Sequence, residues 1–190
     1  RDYYASRGLG DVYKRQDLDD PKKLQAFVKL VRKLTLAGCV LAYHDRADGG
    51  LLATVAEMMF AGHMGVRLDL TSMAKTSQVE DVIPALFNEE LGAVLQIRAD
   101  RIDEVHAAVK DADLADCTHF VGEVTDGDAL EIHAHGEKLF EESRGELQKA
   151  WTEVSWQIAR MRDNPACADQ EYARCTMEDD TGLFVRTTFD

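Results

Sequence analysis

The sequence lacks several features that would place it in a class at once. No apolar run approaches the roughly 20 residues that cross a bilayer, and no secretory signal is visible. No Gly-x-Gly-x-x-Gly fingerprint follows any strand-like run, which argues against a dinucleotide fold. Its 22 basic residues are scattered among 35 acidic ones, for a net charge of −13, whereas nucleic-acid binding needs clustered Lys and Arg. We therefore expect a cytoplasmic protein that binds neither membrane nor nucleic acid.

The four cysteines show neither Cys-x-x-Cys spacing nor a zinc-ligand pattern. Cys39 and Cys117 lie among apolar residues, where a free cysteine usually packs as a small buried hydrophobe. None of the four stands between glycines as an elbow nucleophile would. We expect reduced, structural thiols.

What is present is an ordinary globular composition, with 190 residues, 45% of them hydrophobic and 30% charged. Apolar periodicity alternates between helical and strand spacing along the chain. Helices are predicted at about 21–37, 49–61, 81–88, 101–112 and 145–163, and strands at about 40–44, 66–70, 92–97, 118–124, 129–134 and 138–140. This order predicts an α+β or layered α/β/α domain.

Some of these elements carry sharper expectations. Asp20 is a candidate N-cap with Pro21 at the first helical position. The nearly all-apolar run 92–97 predicts a central strand that is covered on both faces. The short helix at 81–88 is expected to open near Pro84. In the last helix, an apolar stripe at steps of three and four residues is expected to face an apolar surface: Trp151, Val154, Ile158 and Met161.

The stretch 43–50, Tyr-His-Asp-Arg-Ala-Asp-Gly-Gly, is the most informative one. It lies between a strand-like run and a helix-like run, so it predicts an acidic loop followed by a glycine-rich helix start. A carboxylate on such a loop can hold a hard cation, and the glycines let a phosphate approach the helix N–H groups. A nucleotide with Mg²⁺ fits both. The plainer alternative is a tight turn in which Asp48 is the N-cap.

Other polar residues have competing interpretations. Glu89 and Glu90 could line a cleft, although a solvated turn is favoured. His133 and His135 could begin a zinc site, but no third ligand follows at a suitable spacing, which favours surface positions. His44 could orient Asp45, contact a phosphate or be a hydrogen-bonded structural residue.

Several separated motifs in this order resemble phosphoribosylformylglycinamidine synthase in its large, single-chain form. They are His44–Leu51 (His-Asp-Arg-Ala-Asp-Gly-Gly-Leu), Ala56–Met58, Phe60–His63, Phe87–Ala93 (Phe-Asn-Glu-Glu-Leu-Gly-Ala) and the run from Trp151 through Arg162–Pro165 to Glu171. The resemblance extends from about residue 17 to 190. It implies the aminoimidazole ribonucleotide synthase C-terminal type of domain, a mixed sheet with flanking helices, from the second synthetase half.

The resemblance also implies an activity for the parent protein. That family is an ATP-dependent carbon–nitrogen ligase of purine biosynthesis, which uses Mg²⁺ and ammonia from glutamine to convert formylglycinamide ribonucleotide to its amidine. Its second half holds an auxiliary ATP or ADP with Mg²⁺. By this resemblance Asp45 is the metal ligand, and Gly49 and Gly50 present bare backbone to the nucleotide. Ala47 stands where the family usually has a serine that contacts the nucleotide, a departure that weakens the site or leaves it to backbone and metal.

The residue pattern and the resemblance together predict the following division of the chain. Residues 1–16 are expected to be non-native or disordered, 17–142 to form the synthase-type domain, 143–175 a helical extension, and 176–190 a linker toward a missing glutaminase domain. The expected partners are that glutaminase domain and the remaining synthetase domains. No catalytic residue is assigned, and the chain alone is expected to be inactive. The alternative is a purely structural scaffold that docks the glutaminase.

Overall fold

A computed structural model describes residues 20–46, 48–177 and 185–189. This part of the chain forms six α-helices and six strands, which alternate as far as α4 and are followed by three consecutive strands and two helices. The helices are α1 (Pro21–Leu36), α2 (Gly50–Gly62), α3 (Val79–Phe87), α4 (Ile102–Asp111), α5 (Arg144–Arg162) and α6 (Pro165–Ala173). The strands are β1 (Val40–Asp45), β2 (Gly65–Asp69), β3 (Ala93–Ile97), β4 (Gly122–Thr125), β5 (Ala129–Ala134) and β6 (Glu137–Ser143). The α+β class is confirmed.

The larger sheet is mixed and has the order β4-β2-β5-β6. Strand β2 is antiparallel to β4 and parallel to β5, and β5 is antiparallel to β6. The turn at Asp126–Asp128 therefore joins two strands that do not pair, because β2 lies between them. Helices flank this sheet, as the resemblance implies.

Strands β1 and β3 form a separate antiparallel ribbon, with Tyr43 opposite Leu95 and Asp45 opposite Ala93. The prediction of a fully covered central strand at 92–97 was wrong, because every residue of β3 is only partly buried. Its apolar side chains pack against two different hydrophobic clusters and do not fill the two faces of one covered sheet. Val94 packs against one cluster and Ile97 against the other.

Two hydrophobic clusters hold the described residues together. The first joins α2 and α3 to the mixed sheet, with Met59, Leu68 and Leu130 almost fully buried. The second joins α1 to α4 around Leu34 and Cys39. The first cluster contains Leu51 of α2, directly after the β1–α2 connection, whereas the second contacts β1 at its opposite end, at Val40.

Helix α1 begins as predicted: the Asp20 side chain accepts a hydrogen bond from Lys22 N at 2.8 Å, and Pro21 occupies the first turn. Helix α3 differs from the prediction, since it begins at Val79 and contains Pro84 in its interior. The acidic first turn, not the proline, marks its start. Cys39 is buried as expected, but Cys117 is exposed, because its surroundings form a 3₁₀ turn at the surface.

Helix α5 is fixed to the sheet at its first residue and is open along its length. Arg144 is 3% exposed, and its Nε donates to Asp128 Oδ1 at 2.7 Å. The apolar stripe of α5, predicted to face an apolar surface, is instead exposed to between 50% and 81%: Trp151, Val154, Ile158 and Met161. Among the described residues, Phe60 of α2 contacts Trp151, and most of the stripe is left open.

Candidate functional site

The stretch 43–50 folds as the strand–loop–helix that its sequence predicts. Asp45 ends β1, Gly50 begins α2, and the connection between them is four residues long, 46–49. Ala47 lies outside the described residues. The connection is tied to the end of β3 because Arg46 N donates to Gly92 O at 2.9 Å. The Arg46 side chain adds a second tie, from its Nε to Glu90 O at 2.7 Å.

Both glycines are required by geometry. Gly49 has φ +86° and Gly50 has φ +66°, in the left-handed region where an L side chain is strained. A Cβ at Gly50 would also lie 2.6 Å from Leu86 O and 2.8 Å from Phe87 Cα, so α2 begins in close contact with the end of α3. The α2 start thus has no side chain at either position, as a phosphate-binding helix start would, although Gly50 itself is buried.

The alternative interpretation, a tight turn in which Asp48 is the N-cap of α2, was wrong about which residue is the N-cap. Gly49 is the N-cap of α2, and the carboxylate near it comes from elsewhere in the sequence: Gly49 N donates to Glu89 Oε1 at 2.8 Å. Sequence patterns missed this role for Glu89, which was assigned to a solvated turn. The available signal was its position in the Phe87–Ala93 motif, which accompanies the His44–Leu51 motif in the family resemblance.

Asp45 presents one carboxylate oxygen to the surface of the loop. Its Oδ1 accepts from the Tyr43 hydroxyl at 2.6 Å, and its Oδ2 accepts no hydrogen bond from the described residues. The hydrogen bond to Asp45, together with partial burial, raises the pKa of Tyr43 to about 12, so Tyr43 remains a neutral donor. The strand thereby fixes the rotamer of Asp45 and leaves one oxygen for a cation.

His44 points away from Asp45 Oδ2 and into the domain. Its Nδ1 donates to Asp45 O at 2.7 Å, and its Nε2 lies 2.8 Å from Glu57 Oε2 on α2. The structure therefore favours the orienting interpretation of His44 over phosphate contact. Thr54, which is 1% exposed, donates to Gly50 O at 2.8 Å and closes the first turn of α2 from beneath.

The loop offers a magnesium ion few protein ligands, chiefly one carboxylate oxygen of Asp45. Within the described residues, no cluster of three or more His, Cys, Asp or Glu side chains is arranged to hold a metal. Mg²⁺ is commonly held by one or two carboxylates, with phosphate and water oxygens as its other ligands. The free oxygen of Asp45 fits that mode, whereas the loop could not supply a complete protein cage.

The histidines at the end of β5 have separate partners. His133 lies 3.1 Å from Glu131, and with Arg67 it holds the pKa of that carboxyl below its usual value. His135 lies beyond the strand at φ +52°, and its Nε2 donates to Ala74 O at 2.9 Å. The geometry uses both in local hydrogen bonding.

Comparison with protein families identifies the domain. The family model described as AIR synthase related protein, C-terminal domain, matches residues 2–135. The chain belongs to this family. The matched range contains the whole of the 43–50 loop and Glu89, so the loop described above is part of the AIR synthase-related domain.

Solved structures share the fold. The chain is similar to T. maritima PurL complexed with ATP, at 15% identity and a TM-score of 0.55, covering 68% of this chain and 22% of that one. It is likewise similar to phosphoribosylformylglycinamidine synthase II from Thermotoga maritima, at 16% identity and a TM-score of 0.54, covering 66% of this chain and 21% of that one. T. maritima PurL complexed with ADP gives 15% identity and a TM-score of 0.54, covering 66% of this chain and 21% of that one.

The resemblance drawn from the sequence motifs is thus confirmed in domain family and fold. The chain spans about a fifth of the length of the PurL chains that it matches, at 22% and 21%. No helix among the described residues is long and apolar enough to span a membrane.

Proposed function

We propose that this AIR synthase-related domain is part of a phosphoribosylformylglycinamidine synthase, where it supplies an auxiliary Mg²⁺–nucleotide loop. Asp45 would hold the metal, and the backbone at Gly49 and Gly50 would face the phosphates. The observation that carries this proposal is the geometry of the loop: one free carboxylate oxygen at the end of β1, directly before a helix start built from two glycines.

The comparisons support the proposal without reaching the activity. Two of the similar structures are PurL complexed with ATP and with ADP, which makes a nucleotide the natural ligand to test first. The amidine-forming reaction with glutamine as amide donor, the cytoplasmic location, and the remaining synthetase and glutaminase domains as partners follow from the resemblance. They are proposals for the complete protein, and we propose no catalytic residue on this chain.

Nucleotide content tests the loop directly. The complete protein, purified without added nucleotide and then denatured, is expected to release one ADP or ATP per chain. D45A is expected to remove it, because the metal loses its protein ligand. D126A is the matched control, since Asp126 is an exposed aspartate in another turn that follows a strand. Equal nucleotide content in D45A and wild type would contradict the proposal.

Ala47 offers a gain-of-function test. A serine there would add a hydroxyl donor where the family usually has one, and a hydrogen bond to a charged group is worth about 1.5–3 kcal/mol. We expect A47S to tighten Mg-ADP binding by about tenfold or more. An A47S protein that binds Mg-ADP no better than wild type would place the nucleotide away from residue 47.

A scaffold role is the second candidate, and the exposed apolar face of α5 favours it. Trp151 and Met161 are 61% and 81% exposed along that face, which suits a surface covered by another domain of the same protein. In that case the loop would be structural only. Absence of released nucleotide, together with normal amidine synthesis by the D45A protein, would support the scaffold over the nucleotide loop.

A further inference from the structure

Helix α5 reaches the acidic loop through two hydrogen bonds that are joined by one close histidine–carboxylate contact. Trp151 Nε1 donates to Glu57 Oε1 at 3.1 Å, and Glu57 Oε2 lies 2.8 Å from His44 Nε2. His44 Nδ1 in turn donates to Asp45 O at 2.7 Å. The carboxylate of Glu57 thus joins a helix outside the loop to the backbone of the residue that carries the free carboxylate oxygen.

Each member of this chain is oriented by its neighbours. Indole N–H can only donate, and a backbone carbonyl can only accept, so the direction of each outer hydrogen bond is fixed. Glu57 and His44 are both half-buried, with side chains 28% and 31% exposed. Phe60 packs edge-to-face against Trp151, with ring centroids 6.0 Å apart, which limits the positions that the indole can take.

We propose that Trp151 and Glu57 are positioning residues for the 45–50 loop. Through them, α5 limits the motion of this loop. The inference rests on the proposed function only for what the loop binds. Trp151 acts on Asp45 through Glu57 and His44 and touches no ligand itself. Loss of the indole N–H frees Glu57, which releases His44 from its orientation and lets the end of β1 move.

The chain contains a matched control on the same helix. Trp156 makes the same type of bond, since its Nε1 donates to Asp169 Oδ1 at 2.9 Å, but that bond leads to α6 and not to the loop. It also stacks on Tyr172 at 4.2 Å, so it stabilises the α5–α6 pair. W151F and W156F each remove one indole N–H from α5 and retain an aromatic ring.

Glu57 can be tested by a variant that keeps the connection. In E57Q the amide oxygen can accept from Trp151, and the amide nitrogen can donate to His44 Nε2 while His44 Nδ1 still donates to Asp45 O. The connection from Trp151 to His44 through residue 57 is therefore kept. E57L has a similar size but neither donor nor acceptor, so it breaks the chain at the same point.

Hydrogen–deuterium exchange of the peptide spanning 44–50, in the complete protein, reads loop order without any ligand. Besides the β1 amides in the β1–β3 ladder, this peptide contains hydrogen-bonded amides at Arg46 (N to Gly92 O) and Gly49 (N to Glu89 Oε1). We expect W151F and E57L to speed exchange there by about three- to tenfold, and W156F and E57Q to leave it at the wild-type rate. Equal exchange in W151F and W156F, whether both fast or both slow, would overturn the proposal, as would fast exchange in E57Q.

Titration of the same variants with Mg-ADP separates the two proposals. W151F and E57L are expected to bind more weakly than W156F and E57Q, in the order of their loop exchange. A wild-type protein that does not bind Mg-ADP would overturn the proposed function, while the exchange comparison would still decide whether α5 orders the loop. Weak Mg-ADP binding without faster exchange would instead overturn the positioning role.

Discussion

The helices α1 and α2 begin in opposite ways. The α1 start is built from adjacent residues, because Asp20 caps Lys22 N at 2.8 Å and Pro21 sets the first turn. The α2 start has no capping side chain of its own, since its N-cap is Gly49. The carboxylate that meets Gly49 N belongs to Glu89, 40 residues further along the chain.

This difference indicates which helix start can serve a ligand. A cap from the same turn is a permanent part of its helix, and Asp20 leaves little reason for an outside anion to bind. At α2 the anion is held on a separate segment, so another anion can replace it if one side chain moves. The positive end of the helix dipole favours such a group in either case. Under the proposed function, the α2 start is therefore the one at which a phosphate would exchange with a carboxylate.

The largest expected effect comes from breaking the α2 start at Gly50. G50A would force an L residue to φ +66° and place a Cβ 2.6 Å from Leu86 O. Strain and backbone overlap together should cost about 3 kcal/mol or more, measured as the free energy of unfolding in urea.

Gly38 gives the control at the other helix. It follows α1 at φ +70°, but a Cβ there would meet nothing within 4 Å. G38A should therefore cost only about 1–2 kcal/mol, the conformational part alone. If G50A and G38A destabilise equally, the close contact of the α2 start with α3 is not a determinant of the fold.

The next largest expected effect concerns the N-cap of α1. D20A removes a local cap, and we expect it to lower the free energy of unfolding by about 1 kcal/mol. The nucleotide content of the complete protein should be unchanged, because α1 is not part of the loop. Loss of nucleotide in D20A would show that the two helix starts are not independent.

The same contrast explains what the sequence could predict. The α1 cap was predictable because its signal lies in consecutive residues, and the two glycines of α2 were predictable because a strand-like and a helix-like run flank them. The role of Glu89 was not, because its partner Gly49 is 40 residues away and a tertiary contact of this kind leaves no local pattern.

Burial was harder to predict than secondary structure. The apolar run at 92–97 predicts a strand correctly, yet its coverage depends on neighbours, and β3 pairs only with β1 among the described strands. The apolar stripe of α5 has helical spacing, but its exposure shows that periodicity marks a face without saying what covers it. The contact between Glu57 on α2 and Trp151 on α5 joins helices that are distant in sequence, and it likewise could not be predicted from the sequence.

A smaller effect is expected at Glu89. E89Q keeps an acceptor for Gly49 N, so stability should change by less than about 1 kcal/mol. It removes a negative charge where a phosphate would arrive, and we expect Mg-ADP to bind about two- to fivefold more tightly, as measured by calorimetry. Weaker binding would mean that Glu89 serves the cation, in which case the α2 start is not a site of anion exchange.

The smallest effect concerns Tyr43 and appears only at high pH. Its pKa of about 12 lies above the usual value of about 10, chiefly because its hydroxyl donates to Asp45. The folded protein therefore favours the neutral phenol; this contribution to stability is complete below about pH 10 and is lost as the pH rises through about 12. Absorbance titration of wild type against Y43F isolates this tyrosine. In D45A its pKa should fall toward 10, and a titration that stays near 12 would show that Asp45 is not held by Tyr43 and that the free carboxylate oxygen beside α2 is not fixed by the strand.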